Sequence, residues 1–216
     1  MSTAHSSASS VDGATDGRRL RSGRSRAAVV DALLDLYQDG VLRPGAAEIA
    51  ARAGVSERSV FRHFEDLDAL VEAGIAREFT EIGHLFEPPA NRGSRRDRVA
   101  ALIEQRLAIH DAAGAVIRAA SFVLPDSARL RASMAERRRA LNRQVVDLFA
   151  PELESLEGPQ RRELESALGS VASLEHIEHL RQHLGLSVDS TRGVLDRTLV
   201  ALLASRNRAG RSTHRP

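Results

Sequence analysis

The sequence contains no cysteine, no tryptophan and no lysine, and only 3% of its 216 residues are aromatic. Without cysteine the chain has no disulfide, no thiolate nucleophile and no cysteine-ligated zinc. No stretch approaches the roughly 18 consecutive apolar residues that span a membrane, and the beginning of the chain lacks the apolar core of a signal peptide. These absences predict a cytoplasmic protein that has no membrane contact.

Sequence motifs of catalysis are missing as well. The chain has no glycine-rich phosphate loop, no nucleophile elbow and no paired metal motif. Its carboxylates are scattered in charge-mixed runs such as residues 152–165. The sequence therefore predicts a protein that is not an enzyme and that uses no cofactor and no metal.

The positive charge of the chain is concentrated near its amino terminus. Residues 18–64 contain nine arginines and five carboxylates, a formal charge of +4, whereas the whole chain carries +2. A local excess of positive charge is typical of a surface that meets nucleic acid.

The most informative segment is residues 46–64, AAEIAARAGVSERSVFRHF. Gly54 suits the left-handed backbone that ends a helix, and Ser56 is a preferred N-cap for the next one. Val60 and Phe64, four residues apart, would face inward and leave the polar residues outward. The pattern predicts two short helices joined by a tight turn, the second of which fits the major groove of DNA. The alternative is an ordinary helical hairpin with a solvated face.

An apolar stripe precedes this pair of helices and predicts a first helix over about residues 24–39, which Gly40 ends. The stripe consists of Val30, Leu33, Leu34 and Tyr37.

From Arg26 to Leu70 the sequence resembles the amino-terminal domain of the tetracycline-repressor (TetR) family. The resemblance is carried by the segments 48–50, 53–56 and 60–64, in that order along the chain. It implies a transcriptional regulator, specifically a repressor that binds a palindromic double-stranded DNA operator as a homodimer. It also implies release of the operator when an unknown small-molecule effector binds.

Two positions depart from the pattern of that family. Phe61 stands where the family commonly has tyrosine, and Leu67 stands where it commonly has lysine. Two phosphate contacts are therefore absent, and other residues must neutralise the phosphates.

The second helix of the pair supplies most of the predicted DNA contacts. Arg58 is the candidate for guanine recognition, and Glu57 would accept from a cytosine amino group or simply favour the helix N-terminus. Arg62 and His63 would contact the DNA backbone. The full predicted set is Ala47, Ser56, Glu57, Arg58, Ser59, Phe61, Arg62 and His63.

Composition divides the chain into four segments. Residues 1–22 are predicted to be a disordered, arginine-containing tail, which either contacts DNA or serves solubility. Residues 23–67 form the predicted helix-turn-helix domain, with its motif at about 45–64. Residues 68–205 form a helical regulatory and dimerisation domain, and residues 206–216 form a basic tail.

The predicted fold is all-α, with about nine helices and no strand signal. Beyond the DNA-binding domain, proline, glycine and apolar spacing predict helices near residues 66–85, 95–112, 115–122, 126–149, 159–184 and 188–205.

The last two predicted helices carry broad apolar stripes. Within one chain these stripes would be core, whereas the TetR resemblance implies that they pair with the same helices of a second subunit. The predicted interface residues are Leu168, Val171, Leu174, Ile177, Leu195, Leu199 and Leu202.

Three histidines run beside one of these stripes. His176, His179 and His183 share a helical face, which is compatible with a metal site but more typical of the rim of an interface. The sequence alone does not decide between the two.

An effector would bind in the middle of the second domain. A mostly apolar lining with a few polar groups is typical of ligand pockets and equally of any helical core. The candidate ligand contacts are Arg106, His110, Arg118, Phe122 and Met134, with His110 as the foremost polar one. Two alternative functions are a DNA-coating helical protein without an effector and a helical protein that binds only small molecules.

Overall fold

The computed structural model describes residues 10–123 and 126–204. Within these ranges the protein is all-α, as predicted, with ten α-helices and no strand. The chain divides into two compact units, Met1–Ala76 and Arg77–Pro216. No helix in the described ranges is both long and apolar enough to cross a membrane.

The first unit contains three helices and the beginning of a fourth. They are α1 (Ser10–Gln38), α2 (Ala46–Ala53), α3 (Glu57–His63) and α4 (Leu67–Glu81), the last of which continues into the second unit. The boundary between the units therefore lies later than the predicted one at residue 67.

The first helix begins earlier than predicted. It starts at Ser10 rather than near residue 24, so the prediction of disorder is wrong for residues 10–22. Adding turns to an existing helix costs far less than nucleating one, and each glycine in this stretch costs only about 1 kcal/mol relative to alanine. The rest of the predicted tail, residues 1–9, and the basic tail 206–216 lie outside the described residues.

The core of the first unit is built from one apolar face of each helix. Leu33 of α1, Ile49 of α2 and Val60 of α3 are each at most 1% exposed. The beginning of α4 adds Leu70, which is fully buried. A Cβ at Gly74 would lie 3.1 Å from Leu33, so this glycine allows α4 to approach α1 closely.

The second unit contains the end of α4 and six further helices. A 3₁₀ turn (Gly83–Phe86) follows α4, and a π-helical turn (His179–His183) follows α9. The helices are α5 (Arg95–Val123), α6 (Ala128–Leu148), α7 (Ala150–Leu153), α8 (Gly158–Val171), α9 (Leu174–Glu178) and α10 (Val188–Ala204).

Helix α5 is continuous where two helices were predicted. The break expected at Gly114 does not occur, because one interior glycine costs only about 1 kcal/mol and this one occupies a crowded position. A Cβ at Gly114 would lie 3.3 Å from the guanidinium of Arg118.

The predicted helix 159–184 is instead divided into α8, α9 and the π-helical turn. The division falls at Ala172 and Ser173, where the Ser173 hydroxyl accepts the backbone N–H of His176 at 3.1 Å and caps α9. Serine is a strong N-cap and therefore favours a new helix start at this position. The predicted helix 66–85 likewise ends at Glu81.

Two apolar clusters hold the second unit together. The larger one joins α5, α6, α8 and α10 and includes Val99, Leu148, Leu168 and Leu199. The smaller one is centred on Ile109, and Phe86 of the 3₁₀ turn packs against it.

Candidate nucleic-acid interface and effector site

A glycine turn sets the geometry between α2 and α3. Gly54 has φ 66° and ψ 33°, the left-handed conformation predicted for it. Its N–H donates to the carbonyl of Ala51, and the next N–H, of Val55, donates to the carbonyl of Ala50 at 3.0 Å. The end of α2 is therefore fixed by backbone hydrogen bonds that depend on glycine at this position.

Two polar contacts stabilise α2 at its ends. The Glu48 carboxylate accepts the N–H of Gly45 at 2.9 Å before the first turn of the helix. At the other end Arg52 pairs with Asp39 at 2.7 Å and joins α2 to the residue that follows α1. Both contacts hold α2 in position as the support for α3.

Ser56 caps α3, as the sequence predicts. Its hydroxyl oxygen accepts the backbone N–H of Ser59 at 3.3 Å, and the two serine hydroxyls lie 3.0 Å apart. Because each hydroxyl is within hydrogen-bond distance of the other, the two serines form one polar group at the start of α3. Their contact with DNA stays a prediction.

Helix α3 presents its polar residues to solvent. Val60 is fully buried and Phe64 is 4% exposed, so these two face inward as predicted. Phe61 is 50% exposed, which is unusual for an aromatic side chain. The remaining predicted DNA contacts that are exposed are Ala47, Ser56, Glu57, Arg58 and Arg62, while Ser59 and His63 are half-buried.

Cations surround His63 at the end of α3. One guanidinium nitrogen of Arg62 lies 3.5 Å from His63 Nε2. Burial and then the charges of Arg62 and Arg26 hold the pKa of His63 below its ordinary value of 6.5. The ring is therefore neutral at pH 7 and gains a proton only when the pH falls or an anion approaches.

Arg26 is a candidate DNA contact that the sequence did not single out. Its guanidinium lies over the ring of Phe64, 4.7 Å from the ring centroid. This cation–π contact positions an α1 arginine near the end of α3, where it also acts on the pKa of His63. The only signal in the sequence was its place among the nine amino-terminal arginines.

Comparison with known proteins agrees with this geometry. Residues 36–73, from the end of α1 into α4, match the family described as bacterial regulatory proteins, tetR family. Over these residues the chain is similar to that family. The matched residues include all of α2 and α3, so the exposed face of α3 is the candidate DNA-reading surface.

Solved structures share its fold. A tetR-family transcriptional regulator from Streptomyces coelicolor is 19% identical, with a TM-score of 0.60 over 84% of this chain and 81% of that one. A transcriptional regulator from Rhodococcus sp. Rha1 is 17% identical, with a TM-score of 0.60 over 85% of this chain and 96% of that one. A search among curated proteins finds no match.

In the second unit, Arg106 is a structural side chain. It is 1% exposed, and its guanidinium donates to the carbonyls of Leu141 and Ala172 at 3.0 and 3.2 Å and to the Gln144 side chain at 3.2 Å. Burial lowers its pKa to about 10, so it is still a cation at pH 7. It joins α5 to α6 and to the residue after α8.

His110 and Arg118 meet at a buried carboxylate, Glu178, which the sequence did not predict as their partner. His110 Nε2 lies 2.6 Å from one oxygen of Glu178, and Arg118 lies 3.8 Å from the other. Gly114 lies between the two on α5, and its missing side chain leaves room for this cluster. The three polar residues predicted to bind an effector are thus held by the protein itself.

A cavity lies elsewhere in the second unit, between α6 and the α8–α9 segment. This α6–α8 cavity has a volume of about 330 Å³. Of the five predicted ligand contacts only Met134 lines it, and Phe122 is 57% exposed. Contact of the other four residues with a ligand stays a prediction. The lining includes Phe79, Leu141, Leu174, Arg137, Arg138 and Glu175.

Most of the predicted dimer contacts are core residues of a single chain. Leu168, Ile177, Leu195 and Leu199 are each at most 1% exposed, and Leu174 is 7% exposed. Within a single chain these five side chains leave little or no exposed area for a partner, and their place in an interface stays a prediction.

The other two predicted dimer contacts are partly buried. Val171 and Leu202 pack against the edge of the larger apolar cluster and retain some exposed area. Their place in an interface stays a prediction.

The histidine stripe falls on α9 and the π-helical turn. The rings of His179 and His183 stack 5.2 Å apart, and burial and then His179 lower the pKa of His176. In the part of the chain that the structure describes, no three metal-ligating side chains are grouped to hold an ion.

Proposed function

We propose that this protein is a tetR-family transcriptional regulator, a homodimeric repressor that binds a palindromic operator through α3 and leaves it when a small molecule binds the second unit. The observation that carries the proposal is the division of α3 into a buried apolar face and an exposed face with Glu57, Arg58 and Arg62. A short helix with such a face, supported by a second helix, fits the major groove with its first residues at the base edges.

Charge supports DNA as the partner of this surface. Residues 18–64 have an excess of arginine over carboxylate, which favours phosphate neutralisation with release of counterions, so binding should weaken as the salt concentration rises. Because phosphate contacts carry no sequence information, recognition depends on Glu57, Arg58 and Ser59.

Symmetry supports the dimer. A two-fold axis places two copies of α3 about one turn of DNA apart, or a multiple of it, on a palindrome. Val171 and Leu202 are the remaining apolar candidates for the interface, because the other predicted residues have little or no exposed area.

The α6–α8 cavity supports an effector. Its volume of about 330 Å³ lies at the lower end of the range for small-molecule sites. An effector that binds one of two conformations more tightly shifts the protein toward it, and a coupling of about 1 to 3 kcal/mol lowers DNA affinity roughly 5- to 150-fold.

The decisive test is selection of bound DNA from a random pool, followed by footprinting at near-physiological salt. We expect a short symmetric site with discrete protection. Binding to every duplex with equal affinity would contradict the proposal and favour a DNA-coating protein. An absence of any duplex binding would favour a protein that binds only small molecules.

The repressor part needs a separate measurement. Placing the selected site over a promoter that drives a reporter should lower expression when the protein is present. Increased expression would make the protein an activator and would leave the DNA-binding proposal intact.

A further inference from the structure

We propose that the α6–α8 cavity binds a small organic carboxylate with an apolar body, and that this carboxylate replaces Glu175 beside Arg138. The inference rests on the proposed effector function and adds the chemical class of the effector.

The size of the cavity limits the body of the molecule. A dry cavity of about 150 Å³ holds benzene, and the α6–α8 cavity is about twice as large, at about 330 Å³. A molecule of about 10 to 15 non-hydrogen atoms fits this space.

One part of the lining is apolar. Phe79, Met134, Leu141 and Leu174 all contribute to it. Met134 and Leu141 are 7% and 8% exposed, so they are buried by the walls of the cavity rather than by a bound molecule. Contact with such a surface removes apolar area of a ligand from water and favours a hydrocarbon or aromatic body.

Another part of the lining is positively charged. The charged residues of the lining are Arg137 and Arg138 of α6 and Glu175 of α9, a formal sum of +1, and Glu175 pairs with Arg138. Helix α6 as a whole has six arginines and only two carboxylates, Glu136 and Asp147. This field attracts anions and repels cations.

The Arg138–Glu175 ion pair can be exchanged at low cost. The two side chains are 44% and 42% exposed, and exposed ion pairs typically contribute less than about 1 kcal/mol. A guanidinium has five N–H donors in a plane and binds carboxylates in a bidentate manner. An incoming carboxylate can therefore take the position of Glu175, which then turns into solvent.

Polar uncharged groups complete the site one helical turn along α6. Asn142, four residues after Arg138, approaches α8 because Gly169 has no side chain, and a Cβ there would lie 3.0 Å from the Asn142 amide oxygen. Ser166 and Ser170 of α8 add hydroxyls to the same lining. These groups can bind a ligand hydroxyl or carbonyl but not a large apolar end.

The first experiment compares three molecules of one shape by calorimetry with the full-length protein. The probes are 3-phenylpropionate, its uncharged amide and the cationic 3-phenylpropylamine. We expect the acid to bind about tenfold more tightly than the amide, because it alone forms charge-assisted hydrogen bonds, and the amine to bind most weakly. Equal affinity of all three probes, or no binding of the acid at millimolar concentration, would overturn the proposal.

Variants locate the site. Arg138→Gln should remove the preference for the acid, while Arg139→Gln, a neighbouring exposed arginine outside the lining, should leave it unchanged. Ser170→Leu, at an exposed position of α8, should fill the cavity and weaken binding of all three probes while the helical circular dichroism is retained. An unchanged acid preference in Arg138→Gln would place the anion elsewhere and reject the proposal.

DNA binding of the same preparation separates the two proposals. Operator affinity without a probe tests the regulator, and probe affinity without DNA tests the cavity. Probe binding that leaves operator affinity unchanged would support the carboxylate site and contradict release by an effector. Operator binding with no probe binding would reject only the carboxylate site.

Discussion

At the scale of single residues, Arg58 should determine one base of the operator. The side chain is exposed near the start of α3, where a bidentate contact to guanine contributes roughly 1 to 3 kcal/mol. Arg58→Ala should therefore relax the preference at one position in each half-site, measured by competition among operator variants. Arg62→Ala is the matched control and should weaken binding to all sequences alike and reduce the dependence on salt. A uniform loss in Arg58→Ala would assign this residue to the DNA backbone instead.

His63 should give DNA binding a pH dependence of known sign. Burial and then Arg62 and Arg26 hold its pKa below 6.5, whereas a phosphate stabilises its charged form. DNA affinity should thus rise as the pH falls from 8 to 5.5. The His63→Gln variant should lose the share of this increase that comes from protonation of His63. His84→Gln, at an exposed histidine of the 3₁₀ turn, serves as the control.

The same titration should have the opposite effect on the protein without DNA. Because the pKa of His63 is lower in the folded than in the unfolded protein, the unfolded state binds more protons as the pH falls below about 6.5. The free energy of unfolding should then decrease in the range where DNA affinity increases. A rise of both quantities would contradict the low pKa of His63.

Gly54 should be the least replaceable residue of the turn. Gly54 has φ 66°, and an alanine held in this left-handed conformation would destabilise the folded state by about 1 to 2 kcal/mol. Gly54→Ala should lower the free energy of unfolding by that amount in urea titrations. Gly23→Ala in α1 is the control and should raise it by about 0.5 to 1 kcal/mol, because that glycine is helical with no atom within 4 Å of the added Cβ. Equal effects of the two changes would rule out backbone strain as the cause.

The features that the sequence predicts well are those set by local chemistry. Ser56 and Gly54 were assigned correctly because a cap and a left-handed turn depend on the residue itself and its near neighbours. Arg26 was not singled out, because its contact with Phe64 joins residues 38 positions apart and leaves no local pattern.

At the scale of elements, Arg106 should be needed for the packing of α5 against α6. Its guanidinium is the partner of two buried carbonyls, and leaving such groups without a donor costs about 1 to 3 kcal/mol each. Arg106→Ala should lower the free energy of unfolding by about 2 to 5 kcal/mol, measured by urea titration. Arg118→Ala, at a partly exposed site, should cost less. If Arg106→Ala left the free energy of unfolding unchanged, water would have to replace the hydrogen bonds of the guanidinium fully.

The breaks between helices were the least predictable features of the fold. Gly114 was expected to end a helix and instead lies within α5, because its cost is offset by the space it gives to His110 and Arg118. Ser173 was expected inside a helix and instead caps α9. In both cases distant contacts decide between local alternatives of similar free energy.

At the scale of the whole molecule, subunit pairing should depend on residues at the edge of the apolar cluster. Leu202→Glu should convert a dimer into monomers in sedimentation equilibrium at micromolar concentration and weaken operator binding. Leu199→Ala is the contrasting change, because that side chain is fully buried; it should lower the free energy of unfolding by about 2 to 5 kcal/mol without altering association. A wild-type protein that is monomeric at this concentration would contradict the dimer.

The sequence could not separate core from interface. Residues such as Leu168 and Leu195 recur at helical spacing, and this spacing is the same whether the face packs on its own chain or on another. The tertiary arrangement of α5, α8 and α10 is what places these residues in a cluster within one chain.

The burial of these apolar residues within one chain bears on whether the protein folds before its subunits associate. Obligate dimers often have no stable folded subunit, because their apolar faces are satisfied only on pairing. Here Leu168, Ile177, Leu195 and Leu199 are buried within a single chain, so a newly synthesised copy should fold alone and the proposed dimer should exchange subunits. Mixing tagged and untagged populations should accordingly yield hybrids without any unfolding step.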